Sequence, residues 1–230
     1  EKVDTHTFVS VYFHFTGAGQ CINCPVFLLE VNHMYQYKPE DVDCKYCAEW
    51  RHWRCQAAGC PWLAERIEAG TVSYAGMILK LFARVKHADL IRRLGQMVLN
   101  FHGSLWISAE HEFNTRQLLQ SVGFGAWRDP RYFSALYLFG SNRTLLKRAW
   151  NACLPQRFFP EYIWLHGISP HDYALVTAAK TILGVADSGE AMPVELLADT
   201  EVIDDEAFRL IVNALLIANY GPAVLKTGGG

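Results

Sequence analysis

Across residues 7–15 apolar and polar positions alternate, with Val9, Val11, Phe13 and Phe15 on one side and Ser10, Tyr12 and His14 on the other. A period of two predicts a half-buried strand. Gly17-Ala18-Gly19 turns the chain, and the apolar run at residues 25–31 (PVFLLEV) predicts a second strand, followed by the polar turn Lys38-Pro39-Glu40-Asp41. From Pro61 the period lengthens to that of a helix: Trp62, Leu63, Arg66 and Ile67 follow at helical spacing, and Gly70 is placed to end the turn.

Residues 73–85 and 88–101 repeat the helical period, and a further helix opens at Ser108 and runs towards Gly123. Asp129-Pro130 reads as a cap followed by proline at the first helical position, ahead of the apolar run at 132–139. Ser141 or Asn142 caps the next helix. In Ser169-Pro170-His171-Asp172 a cap and a proline are joined by an acid placed to reach back to the cap's amide, and Gly184 terminates that helix. Residues 187–206 hold eight acids and no Lys or Arg, which predicts a solvated linker supplying a cap at Asp204 or Asp205; residues 206–220 form a strongly apolar last helix. The fold class expected is α+β: a small β and zinc-knuckle module at residues 1–60, a mainly α-helical domain at 61–220, and a flexible tail at 221–230.

Cysteine is what makes the first quarter distinctive. Six of seven lie at Cys21, Cys24, Cys44, Cys47, Cys55 and Cys60, and only Cys153 follows. Cys21-Ile-Asn-Cys24 and Cys44-Lys-Tyr-Cys47 have the C-x-x-C spacing with which one turn of backbone presents two thiolates to a tetrahedral ion. Cys44, Cys47, Cys55 and Cys60 lie close enough to wrap one Zn²⁺ with little loop-closure cost. The other pairing sets Cys21 and Cys24 with Cys44 and Cys47, and a second ion would draw on Cys21 and Cys24 with His33 or His52. A four-thiolate site is coordinatively closed, hence structural. An iron–sulfur cluster needs the same thiolates, and disulfides or buried free thiols are the remaining readings.

Composition narrows the class. With 51% apolar and 13% aromatic residues in 230, the chain can bury a core. No run of about 18 apolar residues offers a membrane span, and the first residues lack the order of a signal peptide, so a reducing, cytoplasmic setting is expected. The net charge of −2 hides an uneven distribution: residues 1–70 carry 6 basic and 9 acidic side chains, 71–158 carry 12 and 4, and 159–230 carry 3 and 10. The middle suits an anionic partner.

Catalytic signals are few. Glu110-His111-Glu112-Phe113 offers the first His and Glu of a zincin helix, but the position four after His111 is Thr115. No G-x-S-x-G, Walker loop or dinucleotide fingerprint occurs. His111, His166 and His171 with Glu110, Glu112 and Asp172 read as caps and surface residues rather than a hydrolase site, and Cys153 as a core thiol. No catalytic residue is therefore assigned.

Two binding classes remain. Trp50, Arg51, Trp53 and Arg54 beside the cysteines interleave stacking faces with cations, and Lys80, Arg84, Lys86, Arg92 and Arg93 add a basic stretch, chemistry that grips nucleic acid. Alternatively the helical body contacts another protein, its aromatics Trp106, Trp127, Tyr132, Phe133, Tyr137, Trp150, Phe158, Phe159, Tyr162 and Trp164 serving either a dense core or a contact patch. The leading expectation is a non-catalytic, zinc-stabilised adaptor with a protein partner; nucleic-acid binding is the alternative.

The segment from Cys44 through Cys47, Cys55 and Cys60 to Leu63 resembles short cysteine-rich modules in uncharacterised accessory proteins of bacterial integrative and conjugative elements. Residues 108–184, with the run from Asp129-Pro130 to Leu138 and that from Ile168 to Leu175, resemble a helical domain family of unknown function. The resemblance implies a cytoplasmic bacterial accessory protein of a mobile element and no reaction; it supplies no counterpart for Cys21 and Cys24.

Overall fold

The computed structural model describes residues 46–48, 50–52, 54–55, 62–70, 72–123, 129–155, 157–187 and 190–227. The strands expected at 7–15 and 25–31 lie outside these. Among the described residues eight α-helices dominate: α1 (Leu63–Glu68), α2 (Tyr74–Leu81), α3 (Ala88–Leu99), α4 (Ala109–Val122), α5 (Pro130–Phe139), α6 (Arg143–Ala149), α7 (Pro170–Leu183) and α8 (Asp205–Tyr220). Strand among the described residues is confined to two short hairpins, β1 (Trp50–Arg51) with β2 (Arg54–Cys55) and β3 (Cys153–Leu154) with β4 (Arg157–Phe158). No described helix is long and apolar enough to cross a membrane.

Helices start where side chains answer the orphan backbone amides of the first turn. Ser73, Ser108, Asn142 and Ser169 accept from the amides of Gly76, His111, Leu145 and Asp172, while Asp129 and Asp204 each accept from two. Asn142, not Ser141, caps α6. Asp172 departs from the expected reciprocal cap, because its carboxylate accepts from Asn142 Nδ2 at 2.8 Å and thereby ties the start of α7 to the start of α6.

Every residue of α5 from Tyr132 to Phe139 is buried. A helix apolar all round belongs inside, and α4, α7 and α8 surround it. Its polar atoms are answered by neighbours: Ser134 Oγ donates to the Ala214 carbonyl at 2.7 Å, and Tyr137 hydroxyl donates to the carbonyl of Leu105. Asn213, on α8, donates to the same Leu105 carbonyl and accepts from Tyr74 hydroxyl at 2.7 Å. At the carboxyl end of α5, His111 Nε2 donates to the Tyr137 carbonyl at 2.8 Å and Asn114 Nδ2 to the Gly140 carbonyl at 3.2 Å. Gly140 permits this approach, since a Cβ there would stand 2.2 Å from Thr115 Oγ1 and 2.8 Å from Thr115 N.

Two expectations are corrected at the acidic end of the chain. The stretch 187–206 is no solvated linker: a 3₁₀ turn (Val194–Ala198) lies within it, and Met192, Val194, Leu197 and Ile203 are buried in the core. The acids alternate with these apolar residues, so one side packs while the other faces water. The expected loose tail begins instead with a second 3₁₀ turn (Pro222–Lys226), which buries Val224 and packs against α1.

Candidate functional site

Of the six amino-terminal cysteines, Cys21, Cys24, Cys44 and Cys60 lie outside the described residues, as does His33. Cys47 is partly buried, and the backbone of Cys55 forms β2. The hairpin between them has a two-residue connection, His52-Trp53, with Trp50 opposite Cys55 and Arg51 opposite Arg54. His52 takes a positive φ of 51°, the conformation such tight hairpin turns demand, and its side chain is exposed. Among the described residues no three potential ligands gather about one point.

The basic stretch divides once its neighbours are known. Lys80, Arg84 and Lys86 are exposed. Arg92 pairs with Asp89 at 2.8 Å on the surface of α3. Arg93 leaves the set of candidate phosphate contacts: it is 8% exposed, donates to the carbonyls of Leu197 and Ile203, reaches Asp205 at 2.9 Å, and lies 4.2 Å over the ring of Phe208. It binds the acidic stretch to α3. Of the aromatic and cationic quartet, Arg51 is exposed, only the backbones of Trp50 and Arg54 are described, and Trp53 lies outside.

The histidines and acids of the zincin-like string and the Ser169 cap do not form one cluster. His111 is fully buried, accepts from the Ile107 amide through Nδ1 and donates through Nε2, which fixes the neutral tautomer. Burial lowers its pKa from 6.5 to about 4. His171 instead pairs with Asp204 at 2.7 Å, joining α7 to the cap of α8, and hydrogen bonds from that helix's amides and from His171 hold the Asp204 carboxyl below its usual range despite partial burial. His166 is exposed. Cys153 is buried, and desolvation pushes its thiol up to about 12, leaving it inert at neutral pH.

The aromatics also separate into two groups. Tyr132, Phe133, Tyr137 and Phe158 are buried, whereas Trp150, Tyr162 and Trp164 are exposed, Tyr162 at 57% and Trp164 at 67%. The loop carrying Trp164 is held in shape by Arg148 of α6, whose guanidinium donates to the carbonyls of Trp164, His166 and Gly167 at 2.6, 2.9 and 3.1 Å. A 3₁₀ turn (Pro160–Tyr162) places Tyr162 beside the turn that carries Trp150. Trp150, Tyr162 and Trp164 are thus exposed on neighbouring segments, termed the aromatic shelf, and the backbone of the Trp164 loop is held by Arg148.

Beside the shelf lies a cleft of about 560 Å³, within the range of small-ligand pockets. Its apolar lining includes Phe158, Leu183 and Val185, and its charged groups among the described residues are Asp129, Arg157 and Glu161. Tyr132 hydroxyl braces one wall by donating to the carbonyls of Leu154 and Arg157, at 2.7 and 3.3 Å. Arg157 stacks 4.6 Å from the centre of Phe159, and Phe159 stacks on Tyr162 with ring centres 5.6 Å apart. No described carboxylate pairs with Arg157, and Glu161 likewise has no ion-pair partner among the described residues. Sequence reasoning named these aromatics without placing them. The available cue was RFFPEYIW, an aromatic strip with two nearby prolines and no helical period.

The arrangement offers stacking, apolar burial and charge recognition. No family model, curated protein or solved structure matches the chain.

Proposed function

We propose that the chain is a non-catalytic binding protein that holds a partner protein on the aromatic shelf of Trp150, Tyr162 and Trp164, with the cysteine-rich segment stabilised by structural Zn²⁺. The pinning of the Trp164 loop by Arg148 carries the reading. Aromatic side chains have only two rotatable bonds, so on a held backbone they bury large areas at modest entropic cost, which is why such residues dominate the energetics of protein contacts. For the metal, the support is the spacing of Cys44, Cys47, Cys55 and Cys60 together with the two-residue reversal at His52-Trp53, which turns the chain back between the second and third thiols. The nucleic-acid alternative retains Lys80, Arg84 and Lys86 but loses Arg93 to the interior.

The test is affinity purification of the full chain beside a Tyr162→Ser/Trp164→Ser variant, with salt washes and elemental analysis. The expected result is a defined protein partner that survives high salt on the unaltered chain and is lost from the variant at unchanged melting temperature. Material absorbing as nucleic acid and released steeply by salt would favour the alternative. One or two zinc ions per chain, lost with Cys47→Ser while the helical far-UV signal persists, is the expected metal result; metal retained by that variant would exclude Cys47 as a ligand.

A further inference from the structure

We infer that the cleft beside the shelf binds the free carboxyl terminus of a peptide whose last residue is bulky and apolar and whose preceding residue is basic. The inference rests on the protein-binding reading and narrows it to a chemistry. Arg157 and Phe158 follow one another on β4 with side chains on opposite faces, the first exposed and the second 8% exposed and stacked on Phe139, yet both contribute atoms to the cleft lining together with Leu183 and Val185, so a guanidinium and apolar surface share one opening. A chain terminus has the matching pair of groups on a single α-carbon: a carboxylate and a side chain. Phe159 covers one face of the Arg157 guanidinium and orients it, leaving its hydrogen-bonding edge without a described carboxylate. An oriented arginine is suited to two-pronged capture of a carboxylate.

Glu161 accounts for the basic residue. It is exposed, lines the cleft and has no ion-pair partner among the described residues, whereas Asp129 on the same lining is committed to the cap of α5 and lies 4.0 Å from Arg131. Among the described residues the uncommitted charges of the lining are Arg157 and Glu161, which complement a carboxylate plus a cationic side chain. At about 560 Å³ the cleft is roomier than a single amino acid needs, which favours a peptide end over a free amino acid.

The experiment uses the full chain and fluorescence anisotropy with a labelled hexapeptide of glycine and serine ending in lysine then phenylalanine. Three forms are compared: the free acid, the same peptide amidated at its terminus, and the free acid with alanine in place of the lysine. The free acid should bind at least about tenfold tighter than the amide. Arg157→Gln should bring acid and amide to within about twofold, and Glu161→Gln should erase the preference for lysine over alanine. Equal binding of acid and amide, or binding of neither, overturns the inference. That comparison is made on the unaltered chain and stands whatever the variants do. If it fails while a protein partner is still lost through Tyr162→Ser/Trp164→Ser, the shelf remains a contact surface and only the carboxyl-terminal chemistry is wrong.

Discussion

Helix α5 and the shelf are built from similar residues and used in opposite ways. In α5 Tyr137, Ser134 and the carbonyls of Tyr137 and Gly140 are answered from within, by Leu105, Ala214, His111 and Asn114. On the shelf Tyr162 and Trp164 stay in water, and Arg157 keeps its guanidinium edge unpaired by any described acid. The two arginines make the same point. Arg93 gives its donors to two carbonyls and an acid, whereas Arg157 is only braced. Groups positioned by the fold yet not consumed by it are the ones available to a ligand.

The contrast breaks most sharply under truncation. Phe133→Ala in α5 should lower unfolding free energy by about 3–5 kcal/mol, whereas Trp164→Ala should change it by less than about 0.5 kcal/mol, both read from urea titrations. A loss above about 2 kcal/mol for Trp164→Ala would mean the shelf is part of the core after all. Acid should single out the closed region next. His111 is neutral when folded, with its pKa near 4, while the unfolded chain takes up a proton near 6.5. Stability is therefore complete above pH 6.5, declines on the order of 3 kcal/mol as pH falls towards 4, and levels off below. His111→Gln should flatten that portion of the pH profile.

Arg93→Met should cost about 2–3 kcal/mol, because the carbonyls of Leu197 and Ile203 lose a charged donor. Arg157→Met should leave stability within about 0.5 kcal/mol, measured in the same titrations. Equal losses at the two positions would erase the distinction between a clamp and a braced, available group.

Local chemistry was legible in the sequence. Ser108, Asp129-Pro130, Ser169-Pro170 and Asp204 announce helix starts because a cap and its amides lie within three residues, and Gly184 adopts the left-handed conformation expected of a stop. The apolar periods placed α2 and α3, although α2 ends at Leu81, short of the expected Val85. What was not legible depends on distant partners. The carbonyls that draw Arg93 inward lie 104 and 110 residues away in sequence, so charge pattern alone left it on a basic face. The acids at 187–206 masked four buried apolar positions for the same reason. The division of aromatics into core and shelf required knowing that Arg148 spends its donors on carbonyls 16 to 19 residues ahead.

The packing of α1 against the turn Pro222–Lys226 bears on the order in which the chain assembles during synthesis. Helix α1 is made about 155 residues before its seat, an interval of roughly 10–30 s at common elongation rates. Tyr74, just beyond it, likewise waits for Asn213. Neither α1 nor the buried hydroxyl of α2 can dock until residues 213–226 have left the ribosome.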